Sequence, residues 1–312
     1  MFTGQVSSRQ RVARNPVGLV CGPMSGQSPL GSPGDPARRI AVVTGTSSGI
    51  GFYTALGLAR TGMRVIMAGR DRGRTEAARR LVIERSGSDR VDVALADFSR
   101  LAEVRRLADE LISAHERLDL LVNNAGLMSP KYRLSADGFE LTFAVNHLAP
   151  FLLTNLLLDR LAASAPARII TVASEAHRGA RLDLADLSRP RDWGLMRAYG
   201  CSKLCNILFT KELATRLAGT GIVATCLHPG VIATAIGQRG GLAELAWRLI
   251  KPFLSSPEKG AETSLFLATV LDPAPFHGGY VIGRTLARPD PAALDSDLAR
   301  RLWDESARLV GL

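Results

Sequence analysis

Ile40-Ala41-Val42-Val43-Thr44-Gly45-Thr46-Ser47-Ser48-Gly49-Ile50-Gly51 is where the architecture first becomes readable. The uncharged Ile40–Thr44 reads as a strand, and glycines at 45, 49 and 51 follow it at once. A helical apolar pattern then runs over about 50–61, so the glycines form a strand-to-helix turn. Glycines at such a turn let the backbone bend tightly and approach a pyrophosphate, whose charge then rests on the helix N-terminus. The spacing G-x-x-x-G-x-G is a variant of the G-x-G-x-x-G fingerprint. Gly-rich turns also serve plain packing, but the strand before and the helix after favour the phosphate reading. Gly45, Ser47, Ser48, Gly49, Ile50 and Gly51 are the candidate contacts to a dinucleotide.

Outward from this turn the same unit repeats. Further strands are expected at Arg64–Ala68, Val91–Leu95, Leu118–Val122, Arg168–Ala173, Val223–Leu227 and Tyr280–Ile282. Helical patterns lie between them at about 73–86, 100–115, 138–161, 199–218 and 258–270. Continuous apolar strands separated by helices imply parallel strands covered on both faces. The expected fold is α/β, a three-layer doubly wound parallel sheet of Rossmann type. It forms a single domain over 39–312, with ligands at the carboxyl ends of the strands. With 46% apolar and 22% charged residues over 312, the chain can fill one large core, and collagen, coiled coil and wholesale disorder are excluded. No run of 18 uninterrupted apolar residues occurs, so no transmembrane segment is expected. The most apolar window, Leu141 to Leu158, is broken by Asn146, His147, Pro150 and Asn155.

Residues 1–38 differ in character. Sixteen of them are Gly, Pro or Ser, and they read as a disordered basic tail. Five arginines against Asp35 alone place +4 of the net charge of +10 in the first 39 residues. The remainder is dispersed, without the basic run of a nucleic-acid arm, so no nucleic-acid partner is expected. Four cysteines without paired spacing suggest no metal and no disulfide framework, and a reducing, cytoplasmic setting.

The second strand ends Met67-Ala68-Gly69-Arg70-Asp71. An NAD site would place an acid at the strand end to hold the ribose hydroxyls. Gly69 stands there instead, followed by Arg70, whose guanidinium suits the 2′-phosphate of NADP. The bland alternative is a surface arginine paired with Asp71. Asp97 and Phe98 close the third strand, and Asn123, Asn124, Ala125 and Gly126 close the fourth, where adenine and ribose would lie. A capping Asp and an Asn–Gly turn are the structural alternatives.

Tyr199-Gly200-Cys201-Ser202-Lys203 puts a phenol and an ammonium four apart on one helix face. Tyrosine, near pKa ~10, is a poor acid–base group at neutral pH, and a nearby lysine is expected to lower it. Ser174, ending the fifth strand, and Asn146, in the helix before it, add a group to polarise a carbonyl and one to order a water.

Together these residues resemble the short-chain dehydrogenases/reductases. The matching motifs are Thr44–Gly51, Asn123–Gly126, Asn146, Ser174, Tyr199 with Lys203, and His228-Pro229-Gly230, in the family's order over about 39–285. Ala68-Gly69-Arg70-Asp71, Ser174-Glu175-Ala176-His177, Tyr199–Leu204 and Arg301-Leu302-Trp303 resemble the retinol dehydrogenase and protochlorophyllide reductase-like group. The resemblance implies a catalytic tetrad of Asn146, Ser174, Tyr199 and Lys203. It also implies that Lys203 binds the nicotinamide ribose and that Pro229, Gly230, Val231 and Thr234 cover the nicotinamide. Ser174 and Tyr199 are 25 apart, longer than in the most compact members but as in this group, and Ala173 stands where a second Ser is common. Members of the group often carry an N-terminal membrane anchor, which the Gly/Pro-rich tail does not resemble.

His147, His177 and His228 lack metal-ligand spacing and read as structural, and no metal is expected. The insert 178–198 and the loop 235–257 are expected to wall the substrate pocket. The second has near-helical apolar spacing, as in a lid over a lipophilic small molecule; packing in a homo-oligomer would look the same. The expected activity is NADP(H)-dependent interconversion of an alcohol and a carbonyl, NAD(H) being second choice. A double-bond reductase is the enzymatic alternative, and a non-catalytic NADP-binding regulator is the alternative from another class.

Overall fold

Strands that bury both faces organise the chain. The computed structural model describes residues 35–230 and 256–312. Its strands are β1 (Ile40–Thr44), β2 (Arg64–Gly69), β3 (Val91–Leu95), β4 (Leu120–Asn123), β5 (Ala167–Val172), β6 (Ile222–His228), β7 (Tyr280–Ile282) and β8 (Thr285–Leu286). They form one sheet in the order β3-β2-β1-β4-β5-β6-β7-β8. All neighbours through β7 pair parallel, and β8 returns antiparallel on β7. Successive side chains enter opposite layers: Val42 joins one apolar core while Ala41 and Val43 join the other. That is why these strands read as unbroken apolar runs.

The helices are α1 (Gly49–Arg60), α2 (Arg72–Ser86), α3 (Leu101–Ala114), α4 (Leu141–Ala163), α5 (Leu195–Arg216), α6 (Pro257–Thr269) and α7 (Ser296–Val310). α1, α2 and α6 cover one face of the sheet, while α3, α4, α5 and α7 cover the other. The expected strands and helices are all present, with ends shifted by a few residues. β8 and α7 were not foreseen. Trp303 of α7 packs against Phe151 of α4 (ring centroids 4.9 Å) and Phe209 of α5 (5.8 Å), with the Arg216 guanidinium 4.3 Å from its ring. α7 thus closes the outer face of α4 and α5.

By length and composition, α4 is the one helix among the described residues that could cross a membrane, but 83% of its apolar window is buried inside the fold. It is a core helix. Within it, Ala144–Leu148 forms a wider π-helical turn. Strand order reverses between β1 and β4, and the crevice beyond their carboxyl ends is where such sheets take ligands.

Candidate active site

The β1 turn is braced against β4. Gly45 has φ +73°, and a Cβ there would lie 2.8 Å from Ala125 Cα. At Gly51 a Cβ would come within 2.4 Å of Gly45 O. The Thr44 hydroxyl oxygen accepts the Asn124 and Ala125 N–H groups (3.0 and 2.9 Å), and Asn124 Nδ2 donates to Thr44 O (2.8 Å). Asn124 therefore holds the turn, whereas the Asn123 side chain donates to Thr154 Oγ1 (2.9 Å) in the core. The sequence places both asparagines at the strand end without distinguishing them. The two are adjacent on a strand end, so only the strand's facing separates them.

Ser48 is the N-cap of α1 but makes no side-chain cap bond, so the helix's first N–H groups are left for a ligand. This suits a pyrophosphate beside Ser47, Ser48, Gly49 and Ile50. At the β2 end Arg70 is exposed and has no hydrogen bond or ion pair among the described residues. Its expected alternative partner is used otherwise: Asp71 Oδ1 caps α2 by accepting the Arg74 N–H (2.8 Å). Arg74, which the sequence reading passed over, lines one cleft with Ser47, Ser48, Phe52 and Tyr53. It stands in the first turn of α2, four residues after Arg70. Asp97 Oδ1 accepts the Ser99 N–H and hydroxyl (3.0 and 2.8 Å), and Phe98 is buried in the core.

On the other side of the crevice the four chemistry-bearing residues converge. A Cβ on Gly126 would lie 3.3 Å from Asn146 Oδ1 and 3.7 Å from Lys203 Nζ. Asn146, in the π-helical turn, accepts the Leu127 N–H (2.8 Å) and donates to Leu127 O (2.9 Å) and Ser202 Oγ (3.0 Å). Ser202 donates to Tyr199 O (2.7 Å), so an unforeseen serine ties Asn146 to the Tyr199 turn. Ser174 caps the short turn Glu175–His177 by accepting the Ala176 N–H (3.2 Å), and its hydroxyl neighbours the Tyr199 phenol. Gly200 allows that approach, because a Cβ there would sit 2.6 Å from Ala176 O.

The electrostatics differ from expectation. Burial pushes the Tyr199 phenol above its ordinary value, and the Ser174 hydroxyl offsets only part of this. Burial also lowers the Lys203 ammonium to about 8. Lys203 Nζ donates to Val172 O (2.9 Å) and lies 5.6 Å from the Tyr199 ring centroid. The lysine is no cause of a lowered phenol here: desolvation penalises the charged form of each group, raising the phenol and lowering the ammonium. A protonated phenol is the state suited to giving a proton to a carbonyl oxygen, and the Lys203 ammonium beside it, at about 8, still carries its proton at neutral pH.

The three histidines are structural in placement. His147 Nε2 meets Ser306 Oγ (2.8 Å), and burial lowers its pKa to about 3. His177 Nδ1 bonds Ser174 O (2.6 Å) while its Nε2 accepts the Asp290 N–H (3.0 Å). His228 Nδ1 accepts the Glu175 N–H (3.3 Å). Pro229 and Gly230 follow β6. Val231, Thr234 and residues 1–34 lie outside the described residues, as does nearly all of 235–257. The insert 178–198 is fastened to the segment before α4: Ser188 O accepts the Glu140 N–H (2.7 Å) and Trp193 Nε1 donates to Glu140 Oε1 (3.2 Å). Its cleft is lined also by Phe143, Cys201 and Ser202. Met196, one turn before Tyr199 on the same face, is 60% exposed.

Residues 39–243 match the short chain dehydrogenase family. The chain belongs to that family. This short-chain dehydrogenase is 43% identical over 285 residues to retinol dehydrogenase 13 of Homo sapiens, covering 88% of this chain and 85% of that protein. A solved protein of Mycobacterium paratuberculosis is 36% identical with a TM-score of 0.71, covering 88% of this chain and 94% of its own. RhlG of Pseudomonas aeruginosa, solved as an active-site complex with NADP, is 30% identical with a TM-score of 0.63, covering 78% and 94%. A retinol dehydrogenase-like short-chain dehydrogenase is an alcohol–carbonyl oxidoreductase using a nicotinamide dinucleotide.

Proposed function

We propose that the chain uses NADP(H) to interconvert an alcohol and a carbonyl on a lipophilic small molecule. The observation that carries this reading is the convergence of Tyr199, Ser174, Lys203 and Asn146 at the carboxyl edge of β5, with Arg70, unpaired among the described residues, at the end of β2. The nicotinamide cofactor supplies or accepts the hydride when bound; everything else falls to the chain. The β1 turn and the α1 N-terminus would hold its pyrophosphate, with Ala125 and Gly126 alongside. Arg70, with Arg74 nearby, would meet the 2′-phosphate. Lys203 would bind the nicotinamide ribose, and Pro229, Gly230, Val231 and Thr234 would cover the ring.

In the reductive direction Tyr199 gives its phenolic proton to the substrate oxygen, which Ser174 holds in place by a hydrogen bond. Lys203 and Asn146 orient this pair, and proton return to Tyr199 runs along their side. Apolar Met196 on the Tyr199 face and Tyr132, 43% exposed, favour a lipophilic substrate. Three free cysteines among the described residues fit a reducing, cytoplasmic setting. The test is oxidation of NADPH, with NADH in parallel, against a panel of lipophilic aldehydes and ketones. Turnover confined to NADPH and apolar carbonyls is expected. No turnover across the panel, with NADPH still bound, would sink the reading.

A further inference from the structure

We propose that Thr75, a residue of α2 buried behind the cofactor crevice, enforces the preference for NADP(H) by occupying the space a side chain at position 69 needs. This rests on the NADP(H) reading above. Gly69 is the last residue of β2, where an acid would hold free ribose hydroxyls and repel a 2′-phosphate. A Cβ placed on Gly69 would lie 2.3 Å from Thr75 Oγ1, 3.1 Å from its Cγ2 and 3.3 Å from its Cβ. Real carbon atoms do not approach an oxygen that closely, so something must move.

Thr75 is poorly able to move. Its side chain is fully buried, its Oγ1 donates to Asp71 O (2.7 Å), and its own N–H bonds the same carbonyl (2.9 Å). Asp71 is in turn fixed as the cap of α2 through the Arg74 N–H. Rotation about χ1 would break the hydroxyl bond to Asp71 O, and one of the two alternative rotamers would put the methyl where the oxygen was, since Thr is branched at Cβ. While Thr75 keeps this hydrogen-bonded rotamer, only glycine fits at 69. The strand end is therefore kept free of a carboxylate, and the exposed guanidinium of Arg70 is the charged group left to meet the ribose. Thr75 thus acts on specificity through packing, without touching the cofactor.

The experiment uses the full chain and needs no substrate. Thermal melts without nucleotide, and fluorescence titrations with NADPH and NADH, are run on wild type and on Thr75→Ala, Gly69→Ala, Gly69→Asp and the two double variants. Gly69→Ala should melt about 4–10 °C below wild type, with Thr75→Ala in the same chain recovering at least half of the loss. Gly69→Asp alone should bind both nucleotides poorly. Gly69→Asp with Thr75→Ala should move the Kd ratio at least about tenfold toward NADH. If Gly69→Ala melts like wild type, or Gly69→Asp alone shifts the ratio as far as the double variant does, Thr75 is not the determinant. Should the aspartate double variant fail to fold, the alanine pair still decides the packing claim by its melts. Tighter binding of NADH by wild type would instead overturn the NADP(H) reading itself.

Discussion

The two sides of the carboxyl edge treat their polar groups in opposite ways. Beside β1 and β2 they are left open: Ser48 makes no cap bond, and Arg70 stands exposed without a partner among the described residues. Beside β5 they are committed: Asn146 is buried and spends its amide donors on Leu127 and Ser202, and buried Lys203 is anchored through one donor to Val172 O. The difference teaches which job each side does. A region that binds a phosphate-rich ligand keeps donors for it, because the ligand's charge then supplies their missing partners. A region that handles a proton holds its groups fixed beforehand, so that little reorganisation is needed at the moment of reaction.

Breaking the committed side should have the largest effect. Tyr199→Phe is expected to lower kcat by about 10²–10⁴-fold. NADPH affinity should stay near wild type, since only a hydroxyl is removed; steady-state kinetics and fluorescence titration check both halves. A variant that retains most of its kcat would remove Tyr199 from the chemistry. Breaking the open side should do the reverse. Arg70→Ala is expected to weaken NADPH by about ten- to a hundredfold while leaving NADH affinity and kcat nearly unchanged. Equal loss for the two nucleotides would show that Arg70 does not read the 2′-phosphate.

Smaller effects sharpen the contrast through stability. Lys203 titrates at about 8 in the folded chain against an ordinary 10.5. Between those values the unfolded chain binds the extra proton, so its contribution to stability rises with pH from about 8 toward 10.5 and is at its least favourable below 8. Wild type should therefore gain several degrees of Tm relative to Lys203→Met between pH 8 and 10, read by melts of both across that range. A constant difference would mean that the ammonium is not desolvated. Smallest of all, Asp71→Ala removes only the α2 cap and should cost about 1 kcal/mol of stability with kcat unaltered, measured by denaturant unfolding.

The sequence alone carried much of this molecule, for identifiable reasons. Strands buried on both faces tolerate few polar residues, so Ile40–Thr44 and the other central strands are written as mostly apolar runs, whereas the edge strand β3 admits Asp92. Tyr199 and Lys203 share a helix face because four residues make about one turn. Other features were not legible. β8 has two residues, too short for any period, and α7 declares itself only when Trp303 meets Phe151 and Phe209. Nothing in Asn123-Asn124 says which amide turns toward Thr44 and which toward Thr154. The rise of the Tyr199 phenol and the obstruction of position 69 by Thr75 belong to the tertiary structure for the same reason. Spacing along the chain fixes periodicity and chemical type, whereas desolvation and steric exclusion depend on what residues far away in sequence, or a turn away on another element, bring to within a few ångströms.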